Sequence, residues 1–151
     1  MRVRQFLAAI GLIAAAMGSS REAAGWGGRD RVSGPIAVEV LDIYDGDSFS
    51  VLAHMWPKQY VEAHVRVAGI DAPEMRGRCE EEKKLARDAK ILVEKFLKFG
   101  EPITIRNVSL DKYGGRVDAD VHNAKGESLA SVLIRAKLAR PYQGGAKRGW
   151  C

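Results

Sequence analysis

The chain has 151 residues with a net charge of +5, which allows one domain at most and suits an anionic partner without singling one out. Two widely separated cysteines and three scattered histidines, His54, His64 and His122, exclude a zinc centre. No internal repeat or long low-complexity tract is present.

The first stretch, "MRVRQFLAAIGLIAAAMGSS", has a basic start at Arg2 and Arg4, a short apolar run from Phe6 to Met17, and small residues at Ala16, Gly18 and Ser19. That layout predicts a signal peptide within residues 1–24, cleaved near Gly18 or after Ala24; the apolar run is too short for a comfortable membrane span. The expected location is secreted or periplasmic, with no membrane partner once the signal is removed; an uncleaved anchor is the alternative. Removing residues 1–18 takes away two arginines and no acid, so the charge falls from +5 to +3. Glycine, serine and charge then mark a flexible lead-in over 25–34, and the domain proper is expected over 35–151.

From Ile36 to Met55 apolar and polar residues alternate on both sides of Asp45-Gly46, which predicts a hairpin with a tight turn. Val38 and Val40 share one side before the turn, and Phe49 and Val51 continue after it. A third strand is expected over about Tyr60–Gly69. "EEEKKLARDAKILVEKFLKFG" then takes helical spacing, with Leu85, Ala89, Leu92 and Phe96 on one face, acids at its start, and Lys95 and Lys98 near its end. Gly100 and Pro102 stop it. Two strands follow, "ITIRNVS" and "GRVDADVH", and then a second helix, "SLASVLIRAKLA", capped by Ser128. The tail "RPYQGGAKRGWC" has no regular pattern. Five short strands with a helix after the third fit an α+β, mainly β fold: a five-stranded OB-fold Greek-key barrel with two helices.

Three stretches carry the chemistry. In "YDGDSF" the turn accounts for Asp45 and Gly46, but not for a second acid at Asp47. In "VRVAGIDAPEMRGRC" a strand delivers Arg66, and the loop after it holds Asp71 and Glu74 around Pro73. In "DKYGGRVDADV" a glycine turn presents Arg116 at the start of a strand. Asp42, Asp45 and Asp47 lack the spacing of an EF-hand. Asp47 and Asp71 sit at strand ends that a small barrel can bring together, and two carboxylates suit a hard cation with water attached, calcium first and magnesium second. Two arginines converging on such a cation suit a phosphodiester, with the guanidinium forks on oxygens where charge builds and a nearby glutamate to accept a proton from water.

"DGDS", "RVAGIDAPE" and "DKYGGR", in that order, resemble the staphylococcal nuclease (thermonuclease) family, over roughly Val38 to Tyr142. The resemblance implies a calcium-dependent (Ca2+) endonuclease that hydrolyses phosphodiester bonds of DNA and RNA, single-stranded or frayed, leaves 3′-phosphates and works as a monomer. It assigns Asp47 and Asp71 as metal carboxylates, with the backbone carbonyl of Ala72 beside them where the founding pattern has threonine. Glu74 takes the place of the general base, Arg66 and Arg116 those of the phosphate-binding arginines, and Lys112, Tyr113 and Tyr142 contact substrate. Three features depart from the family: the extra glycine before Arg116, a longer Ser48–Arg66 segment pointing to an extended hairpin around Trp56-Pro57, and no counterpart of its long C-terminal helix.

In an exported chain, an even cysteine count predicts a Cys79–Cys151 disulfide, closing a loop of about 73 residues; two unpaired thiols are the alternative. Two other classes stand beside the nuclease. A non-catalytic OB-fold nucleic-acid-binding module would use basic grooves and exposed aromatics. An exported structural domain explains the disulfide and signal but not the convergent carboxylates.

Overall fold

The alternating sequence falls on strands β2 (Ile36–Ile43), β3 (Ser48–Trp56) and β4 (Gln59–Val67), with the short strands β1 (Arg31–Val32) before them and β5 (Ile70–Asp71) after them. Helix α1 (Glu80–Leu97) follows, then β6 (Ile103–Leu110), β7 (Val117–His122), α2 (Leu129–Arg135) and β8 (Arg140–Pro141). This computed structural model describes residues 31–98 and 100–151. The signal peptide expected in 1–24, and the lead-in up to residue 30, lie outside the described residues.

The main sheet runs β1-β6-β2-β3-β4-β7, and a further pairing of β6 with β7 closes β2, β3, β4, β7 and β6 into a five-stranded barrel. The closing seam between β4 and β7 is parallel, with Val65 opposite Val117, Arg66 opposite Asp118 and Val67 opposite Ala119. With its two helices this is the expected OB-fold. Phe49, Val51, Val65, Val67, Ile103, Ile105 and Val121 are fully buried in the core. A register shift between Val40 and Asp42 turns β2 over, so that Val38 and Ile43 are both buried while Val40 is only partly so.

Three short strands have no signature in the sequence. Arg31 and Val32, at the end of the expected lead-in, pair with Ser109 and Val108 on β6. In the tail read as irregular, Pro141 and Arg140 pair with Ile70 and Asp71. The β3–β4 hairpin is extended as expected, turning at Lys58 (φ 64°) with Trp56 exposed at its tip.

The buried face of α1 is rotated from the one the spacing predicts. Ala89 is on it, but the buried line is Glu82, Ala86, Ala89, Val93 and Leu97, and Leu85, Leu92 and Phe96 flank it half-buried. Two alanines on that line let the helix approach the barrel closely, and the larger side chains fill the sides. Ser128 caps α2 as expected, its Oγ accepting from Ser131 N at 3.4 Å. The helix ends earlier than the sequence indicates. Lys137 is left-handed (φ 58°), Lys137 N donates to Ile134 O and Leu138 N to Leu133 O, each at 3.0 Å, a closing pattern that stops further turns.

Candidate active site

Asp47 ends the four-residue loop between β2 and β3. The loop is shaped by Tyr44 N and Asp45 N, which donate to Ser48 O at 3.0 and 3.3 Å, and by Asp47 N, which donates to Asp45 Oδ1 at 3.0 Å. Gly46 is not needed here for a left-handed turn, as the Asp-Gly pair suggests. A Cβ at that position would stand 2.7 Å from Ala89 Cβ, so glycine is what lets the loop seat on α1. Val67 N donates to Asp47 O at 2.8 Å and fixes the loop to the end of β4. The Asp47 carboxylate is buried, accepts from Ser48 Oγ at 2.8 Å, and lies 3.4 Å from Arg66 Nη2. Burial pushes its pKa up to about 6, against the pull of Arg66, and the charge of Asp45 adds to the rise.

Arg66 sits opposite Ser48 across the β3–β4 ladder and donates from Nη2 to Ile70 O at 2.9 Å. The same guanidinium therefore touches Asp47 and the carbonyl just before Asp71. Asp71, on β5, is buried under the tail. Lys147 Nζ forms an ion pair with its Oδ1 at 2.7 Å, and Trp150 Nε1 donates to its Oδ2 at 3.1 Å. Glu74 is exposed, with Lys147 Nζ 3.4 Å from its Oε1. Partial burial pulls the Lys147 pKa down, but Asp71, Glu74 and Asp47 outweigh it and raise the pKa.

The loop carrying Glu74 hangs on Glu82, whose carboxylate accepts from Arg78 N at 2.9 Å and from Glu74 N at 3.4 Å. Gly77 makes room for it, since a Cβ there would come 2.5 Å from the Glu82 side chain. The disulfide between Cys79 and Cys151, 72 residues apart, closes the tail against the same corner. Cys79, Glu82 and Cys151 cluster tightly, but both sulfurs are in the disulfide and offer no thiolate to a metal.

Arg116 follows two consecutive left-handed glycines, Gly114 (φ 72°) and Gly115 (φ 82°), so the extra glycine is part of the turn. Its Nε donates to Asp111 Oδ2 at 2.6 Å, and Tyr113 N donates to Asp111 Oδ1 at 2.6 Å. The hydrogen bond from Arg116 holds the Asp111 carboxyl below the usual range despite its burial.

Arg66, Arg116, Lys112, Tyr113 and Tyr142 meet around one cleft of about 610 Å³, which Lys147 also lines. Asp71, Ala72 and Glu74 line an adjoining cleft of about 410 Å³ together with Lys147 and Trp150. Lys147 stands on the border. Asp47 faces neither, and reaches the site through Arg66.

Residues 64–148, more than half of the chain, match the family described as staphylococcal nuclease homologue. The chain belongs to that family. None of the curated proteins matches it. The matched span of this staphylococcal nuclease homologue holds every expected site residue except Asp47, which precedes it and is tied in by the Val67 and Arg66 contacts, and Cys151, which follows it. Reading the homologue's sequence alone misses four residues that shape the site: Asp111, Glu82, Lys147 and Trp150. For Asp111 a signal exists, since an acid and an arginine bracket the glycine turn in "DKYGGR". Glu82 stands among three adjacent glutamates that look alike as helix-start acids. Lys147 and Trp150 meet partners 73 and 79 positions away, with no local pattern to mark them.

Proposed function

We propose that this chain is a secreted or periplasmic, calcium-dependent endonuclease that hydrolyses phosphodiester bonds of DNA and RNA and leaves 3′-phosphate ends. What supports the reading above all is that Arg66, on β4, and Arg116, in the turn before β7, line one cleft while Arg66 also touches the buried Asp47 and the carbonyl next to Asp71.

The acids suit a divalent cation on their own chemistry. Asp71 Oδ1 is buried and already faces a cation, the Lys147 ammonium at 2.7 Å, and Asp47 is a buried acid whose nearest arginine does not offset the cost of its charge. The donors are all oxygens, which favours calcium and then magnesium. Asp47, Asp71 and the backbone carbonyl of Ala72 would hold the ion, and when bound it supplies Lewis-acid polarisation of a phosphoryl oxygen.

The chain's own residues account for the rest. Arg66 and Arg116 bind non-bridging oxygens and strengthen their hold as charge accumulates at phosphorus. Asp111 keeps the Arg116 guanidinium aimed. Glu74 takes the proton from water as its oxygen bonds to phosphorus and the bond to the 5′ oxygen breaks, which leaves the phosphate on the 3′ side. Lys112 stands over the Tyr113 ring at 4.7 Å, and Tyr113 is 77% exposed. A splayed base can stack on the ring's open face, which suits single-stranded or frayed substrate.

The deciding experiment incubates the purified mature protein with plasmid DNA and with RNA, in calcium or in EDTA. Cleavage only with calcium, giving 3′ ends that a polymerase extends only after phosphatase treatment, is expected. Tight binding without cleavage would instead make it an OB-fold binding module.

A further inference from the structure

We infer that Lys147 is the built-in counter-ion of the metal carboxylates, and that a divalent cation enters only by displacing it, so the tethered tail sets the metal affinity of the site. The inference rests on the reading that Asp71 helps to hold the cation.

Lys147 Nζ, 2.7 Å from Asp71 Oδ1 and 3.4 Å from Glu74 Oε1, places one positive charge against the oxygen a cation would take. An ammonium and a divalent ion cannot share that position: two cations in contact with one carboxylate oxygen repel each other.

The tail is built to keep the ammonium there. Upstream, β8 pairs Arg140 with Asp71 itself. Downstream, Trp150 donates to the other oxygen of Asp71, the Arg140 guanidinium lies 3.8 Å from the Trp150 ring centre, and Arg140 Nη1 donates to Gly149 O at 3.1 Å. The disulfide then anchors Cys151 to Cys79 at the start of α1. Lys147 is thus held between two fixed points at high effective concentration over one carboxylate.

The head itself is half-exposed. It ends a flexible four-carbon stem, borders the cleft of Arg66 and Arg116, and follows Gly144 and Gly145, which stand in open space. Displacement therefore needs a side-chain swing and no unfolding of the strap.

The test is calorimetric titration of calcium into the oxidised mature protein, with circular dichroism to verify the fold of each variant. If the ammonium holds the site in roughly nine molecules of ten, its removal should tighten apparent calcium affinity about tenfold. Lys147→Met is therefore expected to bind calcium about tenfold more tightly than wild type, and Lys147→Arg, which keeps the charge, to stay within about threefold of it. Asp71→Asn should abolish binding in either background. Opening the strap with the double variant Cys79→Ser, Cys151→Ser should also tighten binding; unchanged affinity there overturns the role of the tether. Calcium binding that needs Asp71 but is equal or weaker in Lys147→Met overturns the inference and leaves the metal site standing. No calcium binding in wild type or Lys147→Met removes both.

Discussion

Arg116 and Asp111 close the two ends of one glycine turn, Nε to Oδ2 at 2.6 Å, with the acid buried and the guanidinium half-exposed. A guanidinium has five donors in a rigid fork, so committing one to a fixed acid fixes the direction of the others. Asp111→Ala should lower the cleavage rate about 10²-fold, the usual cost of misplacing a reacting group by an ångström. Arg116→Ala should fall at least as far, and the double variant little further, because both act through one contact. The rates are read on labelled single-stranded DNA at saturating calcium. Additive losses would mean that Asp111 acts independently of Arg116.

Burial of Asp47 predicts a pH effect with a definite sign. Its folded pKa, about 6, lies above the value of 3.8 for a free side chain. Between those values the folded chain keeps a proton the unfolded chain has lost, so stability without metal falls as pH rises from about 4 to 6 and then levels off. Asp47→Asn should therefore stabilise the metal-free protein by about 1–3 kcal/mol at pH 7 and by almost nothing at pH 4. Thermal melts in EDTA at the two pH values measure this. Calcium binding in the wild type should weaken below about pH 6, where Asp47 takes up its proton.

Glu74→Gln should bind nucleic acid as tightly as wild type and lose about 10²–10⁴-fold in turnover, the range for removing a general base. Arg66→Ala should lose turnover and some affinity, since on the proposed reading Arg66 would also touch the ground-state phosphate. The pair is measured as cleavage rate, and as affinity for the same strand without turnover, at one salt concentration. Wild-type rates in both variants would move the chemistry elsewhere on the barrel.

Gly46→Ala should destabilise the fold by about 1–3 kcal/mol through overpacking, because the new methyl meets Ala89 at 2.7 Å. Ala89→Gly removes that methyl and costs about 1 kcal/mol of helix propensity by itself. The double variant should be more stable than the sum of the two singles, measured by urea midpoint. Strict additivity would show that the loop does not seat on α1 through this pair.

The barrel and the candidate site residues are legible because each depends on local pattern. Alternation marked β2, β3 and β4, and Asp47, Arg66, Asp71, Glu74 and Arg116 each lie at or near the end of a strand that alternation reveals. The face of α1 was misjudged because hydrophobicity favours Leu85, Leu92 and Phe96, whereas close approach favours Ala86 and Ala89. Glu82 resembles its neighbours until the loop it supports is seen. Lys147 and Trp150 were invisible for a different reason: only the fold of the tail, through β8 and the disulfide, brings them to Asp71.

The parallel seam between β4 and β7 joins segments far apart in the chain, Val65 with Val117. Hairpins such as β2–β3 and β3–β4 join neighbouring segments and form early, whereas a seam between distant segments waits until intervening chain has been organised. Arg66 lies on one side of that seam and Arg116 immediately precedes the other. A partly folded chain with its hairpins in place already has Asp47 beside Arg66, but no second guanidinium. The two-arginine cleft therefore exists only where the barrel is closed, with β4 and β7 side by side.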